Sequence, residues 1–195
     1  MADDQIELTA ANVKALAHPL RVRVLGLLRT YGPATATTLA AQLDLTSGAL
    51  SYHLRQLERF GFIVEDTERG DQRDRWWKAA HRQTVFSGLA DEAGREAAVE
   101  GDVYEESVAA AAVAGIERAV ATRHAEPPEW RRVITLSDYL LELTAAEGEA
   151  LGLALSELLG TYRQHDPDVQ PPAGTRLVHT QFQIFPVPDP APVEE

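Results

Sequence analysis

The fold is decided by the stretch Leu45-Thr46-Ser47-Gly48-Ala49-Leu50-Ser51-Tyr52-His53-Leu54-Arg55-Gln56-Leu57-Glu58. Leu50, Leu54 and Leu57 recur at intervals of four and three, which places them on one side of a helix. The spacing predicts a helix from about Ser47 to Phe60, and Gly61 follows where helices often end in a left-handed residue. The opposite side of this helix is polar and is expected to face solvent or a partner.

A second helix is predicted just before this stretch. Leu39, Ala40 and Leu43 have helical spacing, and the hydroxyl of Thr35 or Thr37 can cap the start of that helix. Asp44-Leu45-Thr46 then forms the break between the two helices, and Thr46 can cap the second one. Two helices joined by about three residues predict a helix-turn-helix.

The segments on either side extend this unit. Upstream, Pro19 opens a further helix after a shorter one expected from about Thr9 to Ala17. Downstream, Phe62-Ile63-Val64 and Arg75-Trp76-Trp77-Lys78 have the composition of strands, with a turn at residues 68–72 between them. A hairpin directly after the second helix predicts a wing. The alternative is a small helical core with an incidental hairpin.

Three segments, in this order along the chain, carry a resemblance to a known family. They are Ala15-Leu16-Ala17-His18-Pro19-Leu20-Arg21-Val22-Arg23-Val24-Leu25, the stretch from Leu45 to Glu58, and Gly61-Phe62-Ile63. Together they resemble the winged helix-turn-helix of ArsR-type bacterial transcriptional regulators over about Thr9 to Ala80. The resemblance implies a winged-helix fold and DNA binding, and it does not extend beyond Gln83.

The chain departs from the metal-sensing members of that family. Those proteins carry cysteines where this chain has Ala41-Gln42-Leu43-Asp44, and no cysteine occurs anywhere in this sequence. A thiolate-based metal or arsenic sensor is therefore excluded, as are disulfides and cysteine nucleophiles. The six histidines show no paired ligand spacing, so neither a metal nor a cofactor is predicted. His53 resembles the histidine usual in this family, and we expect it to be structural.

Candidate DNA contacts follow from the polar side of the deciding helix. Four residues near its start are candidates for base contacts: Ser47, Gly48, Ser51 and Tyr52. Residues at this end of such a helix usually approach base edges in the major groove. Arg55 lies one turn later and is expected to contact a phosphate, and Thr46 is expected to combine its capping role with an anion at the helix end. An ordinary solvated helix face is the alternative.

The wing supplies a second group of candidates. The side chains expected to reach the DNA backbone or the adjacent minor groove are Arg69, Gln72, Arg73 and Arg75. Acidic residues lie among them and reduce the positive field of the hairpin. The wing contacts are therefore expected to be weaker than those of the helix.

The charge is unevenly distributed along the chain. The whole protein carries −12 at neutral pH, which disfavours a phosphate-rich partner at long range. Residues 12–82 nevertheless hold eleven cations against seven anions, whereas residues 83–195 hold seven against twenty. Only the first of these regions has the electrostatic character that suits DNA.

The sequence beyond the hairpin predicts a different kind of structure. Residues 89–124 predict one long helix or two shorter ones, whose apolar face can serve a dimer or the chain's own core. Farther on, we expect a strand from Trp130 to Leu136, a helix from Thr144 to Tyr162 and a strand from Leu177 to Phe185. The proline-rich, acidic tail is expected to be disordered.

These elements predict a mainly α fold with small β structure. An N-terminal winged helix-turn-helix domain is followed by a C-terminal helical or α+β region for dimerisation or an effector. The predicted boundaries are 1–82 for the DNA-binding domain, 83–125 for a helical dimerisation or linker region, 126–187 for a small α+β unit and 188–195 for the tail.

Motifs of other protein classes are missing from the sequence. There is no Gly-x-Ser-x-Gly, phosphate loop or dinucleotide fingerprint, so an enzyme is not predicted. No apolar stretch approaches the ~20 residues of a membrane span, and the acidic start is unlike a signal peptide, so we expect a cytoplasmic protein without a membrane partner.

The sequence therefore predicts a sequence-specific regulator that binds double-stranded operator DNA. A homodimer on an inverted repeat is expected because a single short helix makes too few base contacts. We expect a repressor without a cofactor, and a small-molecule effector is left open. The alternative is a winged-helix protein-interaction module without specific DNA binding, which the net charge of −12 favours.

Overall fold

The computed structural model describes residues 5–69, 74–85 and 94–188. The chain divides into two units, of which the first comprises Met1–Ala125 with Pro167–Gln170 and the second comprises Glu126–Asp166 with Pro171–Glu195. The elements of the first unit are β1 (Gln5–Glu7), a 3-10 turn (Val13–Ala15), α1 (Pro19–Tyr31), β2 (Ala34–Thr35), α2 (Ala36–Leu43), α3 (Ser47–Arg59), β3 (Ile63–Glu65), β4 (Trp76–Ala79), β5 (Gln83–Val85), α4 (Gly94–Thr122) and a second 3-10 turn (Arg123–Ala125). The second unit contains α5 (Pro128–Arg131) and α6 (Ala145–Gly160). The fold is mainly helical with small sheets, as predicted.

The first predicted helix is shorter than expected. In place of a helix from Thr9 to Ala17, only the 3-10 turn Val13–Ala15 forms. The side chain of Asn12 accepts a hydrogen bond from the amide of Thr9 (2.8 Å) and donates one to the carbonyl of Glu7 (3.0 Å). Such local bonding competes with helix formation and favours a turn.

The core of the first unit lies between α1, α2, α3 and the hairpin. The largest fully buried side chains are Val13, Leu16, Val24, Leu28, Leu39, Leu50, Leu54, Leu57, Phe62 and Ile63. Full burial of one such side chain stabilises the folded state by about 1.5–3 kcal/mol. The predicted inward side of the deciding helix is therefore confirmed, since all three of its leucines belong to this core.

The wing is part of a three-stranded sheet. Strand β4 pairs antiparallel with β3, with Glu65 opposite Trp77, and its other edge pairs with β2. Trp77 is 4% exposed and packs in the core, whereas its neighbour Trp76 on the opposite face is only partly buried. The parallel pair β1 and β5 was not predicted, because strands of three residues carry almost no sequence pattern.

Helix α4 is a single helix of 29 residues. Ala97, Gly101, Tyr104 and Ser107 are buried on one side of its first half, which packs against α1 and the first 3-10 turn. In the second half, large apolar side chains are exposed instead, namely Val108, Val113, Ile116 and Val120. Over the described ranges, no helix has the length and apolar character needed to cross a membrane.

The second unit is organised around α6. The hydroxyl of Thr144 accepts a hydrogen bond from the amide of Glu147 (3.3 Å), and the carboxylate of Glu147 accepts one from the amide of Thr144 (2.8 Å). This capping box fixes the start of the helix close to the predicted position. Near α5, the guanidinium of Arg176 pairs with Glu126 and lies over the ring of Trp130.

The prediction of a strand on either side of α6 is wrong. Trp130 lies in α5, and residues 134–143 and 175–188 belong to no helix or strand. A strand requires a hydrogen-bonded neighbour, and neither segment pairs into a sheet within the part of the chain that the structure describes. The division into domains at residues 82, 125 and 187 stays a prediction.

Candidate nucleic-acid interface

The turn between α2 and α3 is tightly specified. The hydroxyl of Thr35 accepts a hydrogen bond from the amide of Thr38 (3.1 Å) and thereby caps α2. Asp44 ends that helix in the left-handed conformation, with φ of 57°. The hydroxyl of Thr46 then accepts from the amide of Ala49 (3.3 Å) and caps α3. The predicted break and both caps are confirmed, and together they fix where α3 begins.

Helix α3 separates a buried side from an exposed side. Successive residues of a helix are about 100° apart, so the side opposite the three core leucines is centred between Gly48 and Tyr52. Tyr52 is 55% exposed, and Gly48 and Arg55 are also exposed. No heavy atom lies within 4 Å of a Cβ placed on Gly48. A partner can therefore approach the backbone of α3 closely at this point.

Gly48, Tyr52 and Arg55 lie on this exposed side, whereas the other predicted helix residues lie at the start of α3 or on its flank. Thr46 and Ser47 are exposed at the start of α3, whereas Ser51 is only half-exposed on the flank nearest the wing. The hydroxyl of Ser51 donates to the carbonyl of Ser47 (2.9 Å). Its hydrogen is engaged within the helix, so the oxygen is available to a partner as an acceptor.

A groove of about 380 Å³ runs between α3 and the hairpin. Its lining residues are Thr35, Ala36, Thr37, Ser51, Leu54, Arg55, Asp74, Arg75 and Trp77. Arg55 of the helix and Arg75 of the wing, two cations that the sequence places 20 residues apart, both line this groove. It also adds Thr37, a residue that sequence reasoning considered only as a cap.

The wing cations are partly engaged with acids. Arg69 pairs with the buried carboxylate of Asp66 (3.4 Å) and with Asp168 (2.7 Å). Arg75 pairs with Glu65 (3.2 Å) and lies over the ring of Trp77 at 5.6 Å. These partners reduce the charge that either arginine presents to a phosphate. The predicted contacts Gln72 and Arg73 lie outside the described residues.

Sequence reasoning missed a further cation on the exposed side of α3. Arg59 follows Arg55 by one helical turn, is exposed, and has its guanidinium 5.6 Å from the ring centre of Phe60. The four-residue spacing from Arg55 was the available signal, because residues that far apart share a helix face. Arg55 and Arg59 together make this side of α3 positive.

The other flank of α3 contacts α1 through two imidazoles. The rings of His18 and His53 are 4.6 Å apart, and the ring of Tyr52 meets His53 edge-on at 5.5 Å. Burial lowers the pKa of both histidines below the ordinary value of 6.5, and the nearby charge of Arg21 lowers it further. Among the described residues, no group of three or more His, Asp or Glu side chains is arranged to hold a metal ion.

A family model described as a helix-turn-helix domain matches residues 16–66. This range begins just before α1, contains α2, α3 and the turn between them, and ends after β3. Residues 16–66 form a helix-turn-helix domain. The geometry of the domain agrees with this match, since α3, the second helix of the helix-turn-helix pair, presents the exposed polar side described above.

Other comparisons give only distant likenesses. The structure of AbfR in its disulfide form aligns with 17% identity and a TM-score of 0.29, over 72% of this chain and 66% of AbfR, slightly under two thirds of that protein. A mutant of ZitR from Lactococcus lactis in its apo form aligns with 16% identity and a TM-score of 0.29, over 76% of this chain and 84% of ZitR. No curated protein matches this chain.

Proposed function

We propose that the protein is a sequence-specific DNA-binding transcriptional regulator of the ArsR type. The observation that carries this proposal is the side of α3 opposite the core leucines. It is exposed, it contains Tyr52, Arg55 and Arg59, and Gly48 lets a partner approach the backbone. A helix of these dimensions fits the major groove, which is about 12 Å wide. The regulator uses no thiolate chemistry, because the chain has no cysteine.

Different parts of α3 would contact the bases and the phosphates. Ser47, Gly48, Ser51 and Tyr52 lie toward its start and would meet base edges. Arg55 lies beside the groove that leads to the wing and would contact a phosphate there, whereas Arg75 on the same groove is paired with Glu65 and contributes less. Arg69 makes a weaker contribution because two carboxylates already pair with it.

We place two copies of the domain on one operator. A single α3 covers only a few base pairs, whereas a twofold dimer contacts two half-sites about 34–36 Å apart. The exposed apolar side chains on the second half of α4 supply a surface that a second copy could cover. The operator is then an inverted repeat. We propose that the protein is a cytoplasmic repressor without catalytic activity.

The decisive experiment is selection of duplexes from a random DNA pool by the purified protein, followed by sequencing. The proposed function predicts an enriched inverted repeat whose half-site centres lie about 10–10.5 base pairs, or a multiple of that distance, apart. Affinity for the selected duplex is expected to fall steeply as the salt concentration rises, since each phosphate contact releases counterions. If no sequence is enriched, the alternative of a protein-interaction module replaces this proposal.

A further inference from the structure

His18 and His53 join the first helix of the domain to the helix that would contact DNA. His18 caps α1, because its Nδ1 accepts a hydrogen bond from the amide of Leu20 (3.1 Å). His53 lies on α3 with its ring 4.6 Å from that of His18, and the ring of Tyr52 meets that of His53 edge-on at 5.5 Å. A contact between two titratable rings therefore connects the cap of α1 with an exposed residue of the DNA-facing side.

The surroundings of this pair oppose a positive charge. Arg21 lies one turn along α1 and acts on both imidazoles, and the start of α1 adds the positive end of a helix dipole. The charged or titratable side chains of the adjoining elements include Tyr52 on α3 and Glu100 on α4, together with Lys14 of the first 3-10 turn. Helix α3 also carries Arg55, Glu58 and Arg59, and α1 carries Arg23 and Arg29. Tyr52 and Glu100 act on Arg21, and Lys14 lies over the ring of Phe60. The two imidazoles thus face a cation and each other.

Protonation would also disturb the hydrogen bonding of the two imidazoles. If Nδ1 of His18 were protonated, it could no longer accept from the amide of Leu20, and α1 would lose its cap. Nδ1 of His53 is buried and has no hydrogen-bond partner within the described ranges, so a proton placed there would have no acceptor. Charging either ring in the present geometry is therefore unfavourable.

We propose that the His18–His53 pair positions α3 for DNA only while both imidazoles are neutral, so that acidification releases the DNA. The proposal rests on the proposed function, because it concerns the DNA-facing side of α3. His53 is a positioning residue in this scheme: it acts through Tyr52 and through the contact of α3 with α1. The same two rings make the domain a sensor of pH, since histidine is the side chain that titrates between neutral and mildly acidic conditions.

Two substitutions remove the titration and preserve hydrogen-bonding character. Asn is as favourable as any residue at a helix cap, so His18→Asn retains an acceptor for Leu20 without a titratable group. His53→Gln keeps a polar side chain on the same helix position. His124→Gln is the matched control, because His124 is an exposed histidine in the 3-10 turn after α4 and is not part of the helix-turn-helix.

The test measures fluorescence anisotropy of the selected duplex at about pH 7.5 and about pH 5.5 for each protein. Acidification makes this acidic chain less negative, which by itself strengthens DNA binding in all variants. The quantity compared is the ratio of the dissociation constant at the lower pH to that at the higher pH. This ratio is expected to be about tenfold larger for the wild type and His124→Gln than for the double variant His18→Asn/His53→Gln.

Two outcomes contradict the proposal in different ways. If the double variant keeps the same pH dependence as the wild type and is merely weaker at both pH values, the pair has only a structural role and the pH coupling is overturned. If no duplex is recovered from the random pool, the proposed function fails and this proposal fails with it. Tyr52 ring resonances that follow the histidine titration in the wild type, and not in the double variant, would support positioning through His53.

Discussion

The Nε of Arg55 donates a hydrogen bond to the carbonyl oxygen of Ser51, 3.2 Å away. This bond holds the first part of the arginine side chain along the flank of α3 that borders the groove. Because Ser51 in turn donates to Ser47, the polar residues on this flank are arranged before any DNA is bound. Such order lowers the entropic cost of forming contacts, so substitutions here should affect DNA binding more than stability.

The first prediction concerns sequence preference. Replacing Ser51 and Tyr52 together by alanine should abolish the preference for the selected duplex over random DNA, because the base contacts are lost while the cations remain. Affinity for random DNA should change little. Competition binding with the two duplexes measures both quantities. An unchanged preference in the double variant would show that α3 does not contact the bases through this side.

The second prediction concerns the different contributions of Arg55 and Arg69 to phosphate binding. Arg55→Ala should weaken binding to both duplexes and reduce the slope of log affinity against log salt by about 1. Arg69→Ala should have a smaller effect on the slope, because Asp66 and Asp168 already compensate that charge. Salt titrations of the two variants give the comparison.

The charge-matched control for these arginines is Arg118→Ala. Arg118 is exposed on the second half of α4, which lies outside the helix-turn-helix and the wing in the chain. Its removal changes the net charge by the same amount and should leave the salt dependence unaltered. Equal slopes for all three variants would mean that binding responds to net charge alone, contrary to a specific contact at Arg55.

The third prediction uses two glycines of the same domain. Gly61 has φ of 77°, a conformation that side chains other than glycine rarely adopt, so Gly61→Ala should destabilise the protein by about 1 kcal/mol. Gly48 is helical and has open space at its Cβ position, so Gly48→Ala should be neutral or stabilise by up to about 1 kcal/mol. Urea denaturation measures both changes.

The effect of each glycine variant on DNA affinity should be opposite to its effect on folding stability. Gly48→Ala adds a methyl group where the backbone of α3 is expected to approach the DNA, and so should weaken binding to the selected duplex. Gly61→Ala leaves the exposed side of α3 intact and should bind normally at temperatures where it is folded. Normal binding by Gly48→Ala would exclude a close approach at this position.

The sequence predicted the helix-turn-helix well because several local signals agree there. Pro19, Thr35, Thr46 and Gly61 mark helix ends, and the leucines between them have a clear helical period. Local and long-range preferences point to the same structure, as expected for a segment whose fold is strongly specified. The start of α6 was predictable for the same reason, since Thr144 and Glu147 form a capping box.

Other features were not predictable because they depend on distant parts of the chain. The pairing of Gln5 with Gln83 joins two strands too short to show alternation. Apolar alternation near Phe182 suggested a strand, but a strand also needs a partner that sequence patterns do not specify. The groove that Arg55 and Arg75 both line, and the contact between His18 and His53, arise only when separate elements pack together.

The last prediction is a pH dependence of stability that needs no DNA. Burial lowers the pKa of His18 and of His53 below 6.5, so the unfolded chain binds these protons more readily than the folded one. The stability associated with the neutral pair is fully present above pH 6.5 and is lost as the pH falls through the lowered pKa values. Chemical denaturation of the wild type should therefore show a falling free energy of unfolding between about pH 6.5 and pH 5.

The double variant His18→Asn/His53→Gln should show a flatter profile over this range, because the unfolded and folded chains then differ less in proton binding. Carboxylates are a separate source of acid sensitivity, but hydrogen bonds from Arg176 and from the Thr144 amide hold the pKa values of Glu126 and Glu147 below 4.5, so these groups act at lower pH. His124→Gln should retain the slope of the wild type. A wild-type stability that stays constant down to pH 5 would contradict the assignment of neutral imidazoles to the contact between α1 and α3.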